Sequence, residues 1–175
     1  MSTDRIDGYA RALFEIARAE GTLDEVEDEL FRFARSFEGS DALRNALTDE
    51  QIPADRRQSI VESLLGGKAT GTTTQLVSMV VGSGRGRALP AIIDKLVARA
   101  SSAKNLEVAE VRTAVPLTSD QESRLAAAIT KATGKSVNLK VVVDPSVIGG
   151  LVATVGDTVI DGSVRSRLEQ LKSRL

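Results

Sequence analysis

The chain has 175 residues with 23 Lys plus Arg against 24 Asp plus Glu, so its net charge of −1 offers no global field for nucleic acid or an anionic membrane. Cys and His are both absent, which excludes disulfides, thiolate nucleophiles, Cys/His zinc sites and imidazole catalysis, and leaves only carboxylate, Lys or Tyr chemistry. Aromatic residues make up 3% and Trp is absent, too little for a base-stacking platform, whereas 42% hydrophobic residues predict a folded protein.

Apolar residues recur at helical spacing up to Lys104 and Asn105 and alternate afterwards, as in Val137, Leu139, Val141 and Val143. This change of period predicts an α+β protein of two domains, a bundle of five to six helices over 1–104 and a small α/β domain over 105–175. The first helix is expected over roughly residues 3 to 20. At 100° per residue its apolar positions Ile6, Tyr9, Ala10, Ala12, Leu13, Phe14, Ile16 and Ala17 cover about 200°, twice the arc a surface helix needs. Two readings follow: deeper burial within the bundle, or a surplus strip that receives an amphipathic partner helix.

Gly21 separates this helix from a second, in which Leu23, Val26, Leu30, Phe33, Ala34 and Phe37 face one way and Asp24, Glu25, Asp28, Arg32 and Arg35 the other. Gly39 and Ser40 end it, with Ser40 or Asp41 available to cap the next segment. Pro53 suits the first turn of a helix over about 53 to 64. Further helices are expected over about 72 to 82 and 88 to 103, the former nearly continuous in Leu76, Val77, Met79, Val80 and Val81. Gly66-Gly67-Lys68-Ala69-Thr70 and Gly82-Ser83-Gly84-Arg85-Gly86-Arg87 both fail as phosphate loops. The first has Glu62 and Ala69 where Gly and Ser or Thr are required, the second has Arg87 at the third Gly, and neither follows a strand.

In the second domain a strand over Leu106 to Ala114 is closed by Pro116 and Leu117. Ser119 with Glu122 forms an expected capping box, and Leu125, Ala128, Ile129 and Ala132 give the following helix one apolar face up to Gly134. Strands follow over Ser136 to Val143, Leu151 to Val155 and Thr158 to Ile160, with Gly149 and Gly150 permitting a tight backbone. Asp161, Gly162 and Ser163 are read as the turn and cap of a last helix, in which Val164, Leu168, Leu171 and Leu175 form a narrow stripe beside Arg165, Arg167, Lys172 and Arg174. An enzyme would have to work with Asp144, Asp157 and Asp161, each of which also suits a turn or a cap. The amino terminus lacks a secretory pattern and no run of about 18 apolar residues occurs, so a cytoplasmic protein is expected.

Taken together, Tyr9-Ala10-Arg11-Ala12-Leu13-Phe14, Gly84-Arg85 before Leu89-Pro90, and Val111-Arg112-Thr113-Ala114-Val115-Pro116-Leu117 resemble the delta subunit of F-type ATP synthases. The most specific blocks are Val143-Asp144-Pro145-Ser146-Val147-Ile148-Gly149-Gly150-Leu151 and the stretch from Gly156 to Leu168. A departure lies at Thr72 to Gln75, where many members carry Asn and an aromatic residue. The resemblance implies a noncatalytic stator component without cofactor or metal, present once per complex at the cytoplasmic face of the cell membrane and attached to the membrane only through the complex. It implies that the first domain binds amino-terminal helices of alpha subunits and the second the peripheral-stalk b subunit; the alternative is a free-standing helix-binding adaptor. Tyr9, Ala12, Leu13, Ile16, Leu76, Met79 and Val80 are the expected alpha-binding residues. Val164, Arg165, Arg167, Leu168 and Leu171 are those for b, and Gly149, Gly150, Asp161, Gly162 and Ser163 are architectural.

Overall fold

The computed structural model describes residues 3–147 and 149–162; Ser163, Val164, Arg165, Arg167, Leu168 and Leu171 lie outside the described residues. The chain divides into two compact units, residues 1–100 and 101–175.

The first unit contains α1 (Thr3–Ala19), α2 (Leu23–Gly39), α3 (Asp41–Thr48), α4 (Ala54–Leu65), α5 (Gly71–Gly82), a 3-10 turn over Gly86–Ala88, and most of α6 (Leu89–Ala103). The boundaries have local causes. Gly21 takes φ +71° after α1, a conformation that costs a residue with a Cβ. Ser40 caps α3 by accepting from the Leu43 N–H, and Thr70 caps α5 by accepting from the Thr73 N–H. Pro53 stands one residue before α4 rather than within its first turn.

Burial follows the amphipathic pattern, with Leu30, Phe37, Leu47, Val77, Ile92, Ile93 and Leu96 all at most 2% exposed. α2 buries more than its apolar stripe suggests, because Phe31 and Glu27 are enclosed too. Arg35, on the predicted polar face, lies over the Phe31 ring at 4.8 Å and pairs with Asp94 of α6 and with Glu38.

The second unit is a four-stranded sheet ordered β2-β1-β3-β4 and packed on α7, with β1 Glu107–Thr113, α7 Ser119–Thr133, β2 Val137–Val143, β3 Leu151–Val155 and β4 Thr158–Asp161. β1 runs parallel to β2, as the intervening helix requires, and antiparallel to β3. Alternation puts Ala109, Val111, Ala153 and Val155 into one core with Ile129, supported by Leu125, Val137, Leu139 and Leu151.

Three expectations for this unit are corrected. The capping box is formed by Thr118 and Gln121, not by Ser119 and Glu122. Ala128 and Ala132 are exposed, while Ala126 is half-buried, so the helix is rotated from the predicted face. Asp161 belongs to β4, where it pairs with Val152, and the Gly162 N–H continues the ladder to the Leu151 carbonyl at 3.0 Å. These two residues extend the sheet rather than form a turn.

Candidate functional site

The over-wide apolar arc of α1 resolves into two strips. Ala10, Leu13, Phe14 and Ala17 point into the core, whereas Tyr9 is half-buried and Ala12 and Ile16 are exposed, Ile16 at 37%. Tyr9, Ala12 and Ile16 follow one another at spacings of three and four, so they form a single outward ridge.

α5 divides in the same way. Leu76, Val77, Val80 and Val81 are buried, and Gln75 and Met79 form an outward ridge, with Met79 41% exposed. Among the residues expected to receive a partner, Leu13, Leu76 and Val80 are therefore core residues, at 1%, 3% and 0% exposure. They support the surface without belonging to it, because their positions point inward. The accessible set is Tyr9, Ala12, Ile16 and Met79.

Two contacts at opposite ends set α1 beside α5. The Arg85 guanidinium, just after α5, lies 5.2 Å from the centre of the Tyr9 ring near the start of α1. At the other end the Thr72 hydroxyl donates to the carboxylate of Glu20, just after α1. The two helices thus run antiparallel, flanking one face. Glu29 of α2 fixes the start of α5 by accepting from the Thr70 N–H at 3.0 Å and from its hydroxyl at 2.9 Å. Partial burial pushes the Glu29 carboxyl up, but hydrogen bonds from Thr73 and Thr70 and the charge of Arg32 outweigh it and hold the group below the ordinary glutamate value.

On the far side of α5 an open surface cleft of about 720 Å³ lies where α5 packs on α4, lined by Gln58, Glu62, Gln75, Ser78 and Met79 among others. The Gln58 amide donates to the Ser78 carbonyl across this cleft, at 3.3 Å. Met79 and Gln75 consequently stand on a ridge with the α1 strip on one side and the α4 cleft on the other.

The glycine stretches are architectural. Gly67 follows α4 with φ +72° and Gly84 follows α5 with φ +72°, so both are helix-terminating turns. Gly86 carries a signal that sequence reading missed: a Cβ there would lie 2.7 Å from the Leu47 carbonyl oxygen, so it lets the 3-10 turn approach α3. Gly149 and Gly150 take φ +66° and +74°, successive left-handed residues ahead of β3.

The three candidate acids do not gather. Asp144 follows β2 at one edge of the sheet, accepting from the Ser146 N–H at 2.9 Å and hydroxyl at 2.6 Å, with Arg112 at 3.5 Å. Asp157 precedes β4 and Asp161 ends it, at the opposite edge. The Ser146 hydrogen bonds hold the Asp144 carboxyl below its usual range, as suits an Asx turn rather than a general acid. Among the described residues no group of three His, Cys, Asp or Glu could hold a metal ion, and no helix is long and apolar enough to cross a membrane.

Comparison with known proteins agrees with the residue blocks. The chain is 46% identical to the ATP synthase subunit delta of Streptomyces avermitilis over 91% of its own length and 58% of that protein's. It is 44% identical to that of Nocardia farcinica over 94% and 61% of the respective lengths. The chain thus spans about three-fifths of the length of these curated relatives. Its fold is similar to that of a chain in the cryo-EM structure of the Toxoplasma gondii mitochondrial ATP synthase hexamer, with a TM-score of 0.59, 22% identity and coverage of 99% and 97% of the two chains. The family profile described as ATP synthase delta (OSCP) subunit matches residues 6–175, and the chain belongs to that family.

Proposed function

We propose that this chain is a noncatalytic stator component of an F-type ATP synthase. It joins the catalytic alpha/beta head to the peripheral stalk, so that the stalk resists the torque of rotation and proton flow is coupled to ATP synthesis. One copy serves each complex, at the cytoplasmic face of the cell membrane, and membrane association is indirect. The first unit takes the amphipathic amino-terminal helix of an alpha subunit, and the second takes the b subunit.

The observation that carries this reading is the outward apolar strip of Tyr9, Ala12 and Ile16 on α1 beside Met79 on α5, more apolar surface than the bundle core uses. A helix laid on such a strip buries a few anchors at about 1.5 to 3 kcal/mol each, against an association cost of about 4 to 15 kcal/mol. One contact holds modestly. Two tethered contacts, one per unit, gain from effective concentration and give a firm connector without extreme affinity at either site.

Calorimetry of the whole chain with a peptide copied from the alpha amino terminus tests the first contact: heat of binding at micromolar concentration is expected, and its absence with a folded chain rejects the reading. Pull-down from solubilised membranes tests the second. Arg165→Glu combined with Arg167→Glu is expected to weaken recovery of b while alpha binding persists, and unchanged recovery removes the terminal segment from that role.

A further inference from the structure

Arg85, at one end of the α1/α5 face, and Glu62, across the Met79 ridge from it, carry opposite charges, and neither has an ion-pair partner among the described residues. Arg85 stands at the end next to the α5 carboxyl terminus. It is half-buried, held over the Tyr9 ring at 5.2 Å, and spends one donor on the Ser83 carbonyl at 3.1 Å. The remaining guanidinium donors have no carboxylate to meet. Such a planar fork, already positioned by stacking, is preorganised for a carboxylate.

Glu62 is the other charge. It is exposed on α4 and lines the cleft of about 720 Å³ that Met79 and Gln75 also line. That cleft contains no cationic residue. Its remaining lining is polar or small: the amides of Gln58 and Gln75, the hydroxyls of Thr74 and Ser78, and glycines that leave room for an aliphatic stem. Ser78 is 8% exposed and its hydroxyl has no hydrogen-bond partner, so polar capacity is left unused on this side of α5. A Cβ on Gly66 would come within 2.7 Å of the Glu62 carbonyl oxygen, so glycine is required where α4 ends beside the cleft.

We infer that the α1/α5 face selects its partner helix by charge as well as by apolar fit. The partner is an amphipathic helix whose apolar stripe covers Ile16 and Met79. It presents a carboxylate to Arg85 and, beside the stripe, a lysine or arginine whose stem crosses the Met79 ridge into the α4/α5 cleft to reach Glu62. The ridge geometry favours a helix as occupant: α1 and α5 each expose residues four apart, Ala12 with Ile16 and Gln75 with Met79, and such rows interdigitate with those of a third helix. Long basic side chains suit this path because their methylene stems pack on apolar surface while the head reaches the acid. Opposite charges at separate points also fix the direction in which the helix lies, since the reversed helix would bring like charges together.

This inference rests on the docking reading above, and one titration separates the two. The whole chain is titrated calorimetrically with the alpha amino-terminal peptide at low, physiological and high salt. Glu62→Gln and Arg85→Gln are each expected to weaken binding about two- to fivefold, the range for exposed ion pairs, and to flatten its salt dependence. Glu62→Lys combined with Arg85→Glu is expected to weaken it about tenfold or more at low salt. Met79→Ala should weaken binding while leaving the salt dependence intact. All variants alter surface or half-buried positions, so the far-UV helix signal serves as a control for folding. Binding that Met79→Ala weakens, but that neither salt nor the charge variants alter, overturns the charge selection and leaves docking standing. A wild-type chain that binds no peptide overturns both.

Discussion

The carboxylate of Glu29 on α2 accepts the backbone N–H of Thr70, 41 residues further along the chain, at 3.0 Å, and the hydroxyl of the same residue at 2.9 Å. Since Thr70 caps α5 through its hydroxyl, α2 controls the position of the cap that begins α5. A negative group there is also favoured by the amino-terminal end of the helix dipole.

Glu29→Ala is therefore expected to destabilise the first unit by about 1 to 2 kcal/mol, the range for losing charge-assisted hydrogen bonds to a helix start. The folded chain holds this carboxyl below the ordinary value of 4.5, so its contribution is complete above that pH and declines as pH falls through the lower folded value. Urea titrations of wild type and variant at pH 7 and at pH 3 check this; the difference should be smaller at the acidic pH.

Neighbouring residues on α1 should respond in opposite ways. Ala12→Asp places a charge on the exposed strip and is expected to change stability by less than about 0.5 kcal/mol while reducing peptide binding about tenfold or more. Leu13→Ala opens a cavity in the core and is expected to cost about 2 to 5 kcal/mol. Denaturation and calorimetry on the same two proteins separate the effects.

At the start of α7, Thr118→Ala should lower stability by about 1 kcal/mol because it removes the hydroxyl that accepts from the Gln121 N–H. Ser119→Ala should be nearly neutral. Chemical denaturation followed by a signal from the second unit distinguishes them, and equal effects would point back to the Ser119 box.

Gly150→Val forces a β-branched residue to φ +74° immediately before β3. The expected cost is about 1 to 3 kcal/mol, confined to the second unit. Amide exchange should accelerate in β1 and β3 while the amides of α2 and α6 keep their protection.

The order of the described helices and strands is legible, and many of their limits, because local chemistry marks them: Gly21, Ser40 and Gly134 stop or start helices in ways that need no tertiary information. The two-strip nature of α1 was half legible. Periodicity reveals that its arc is too wide, but only packing decides that Leu13 turns inward while Ile16 faces outward. The face of α7 is not legible in the sequence because alanines contribute little burial, so the rows containing Ala126 and Ala128 look equivalent until Leu125 and Ile129 settle on the sheet. Thr118 and Ser119 both fit the same capping pattern, one residue apart. The role of Gly86 depends on a carbonyl in α3 that is distant in sequence.

The strand order β2-β1-β3-β4 places the earliest of these four strands in the interior of the sheet. Thr113 waits about forty residues for its antiparallel partner Leu151, some 2 to 8 s at about 5 to 20 residues per second. During that interval β1 has an unpaired edge and an exposed apolar row, Ala109 and Val111, whereas helical turns of the first unit close as they emerge. Between the synthesis of β1 and that of β3, the second unit is thus open to misassociation along this edge.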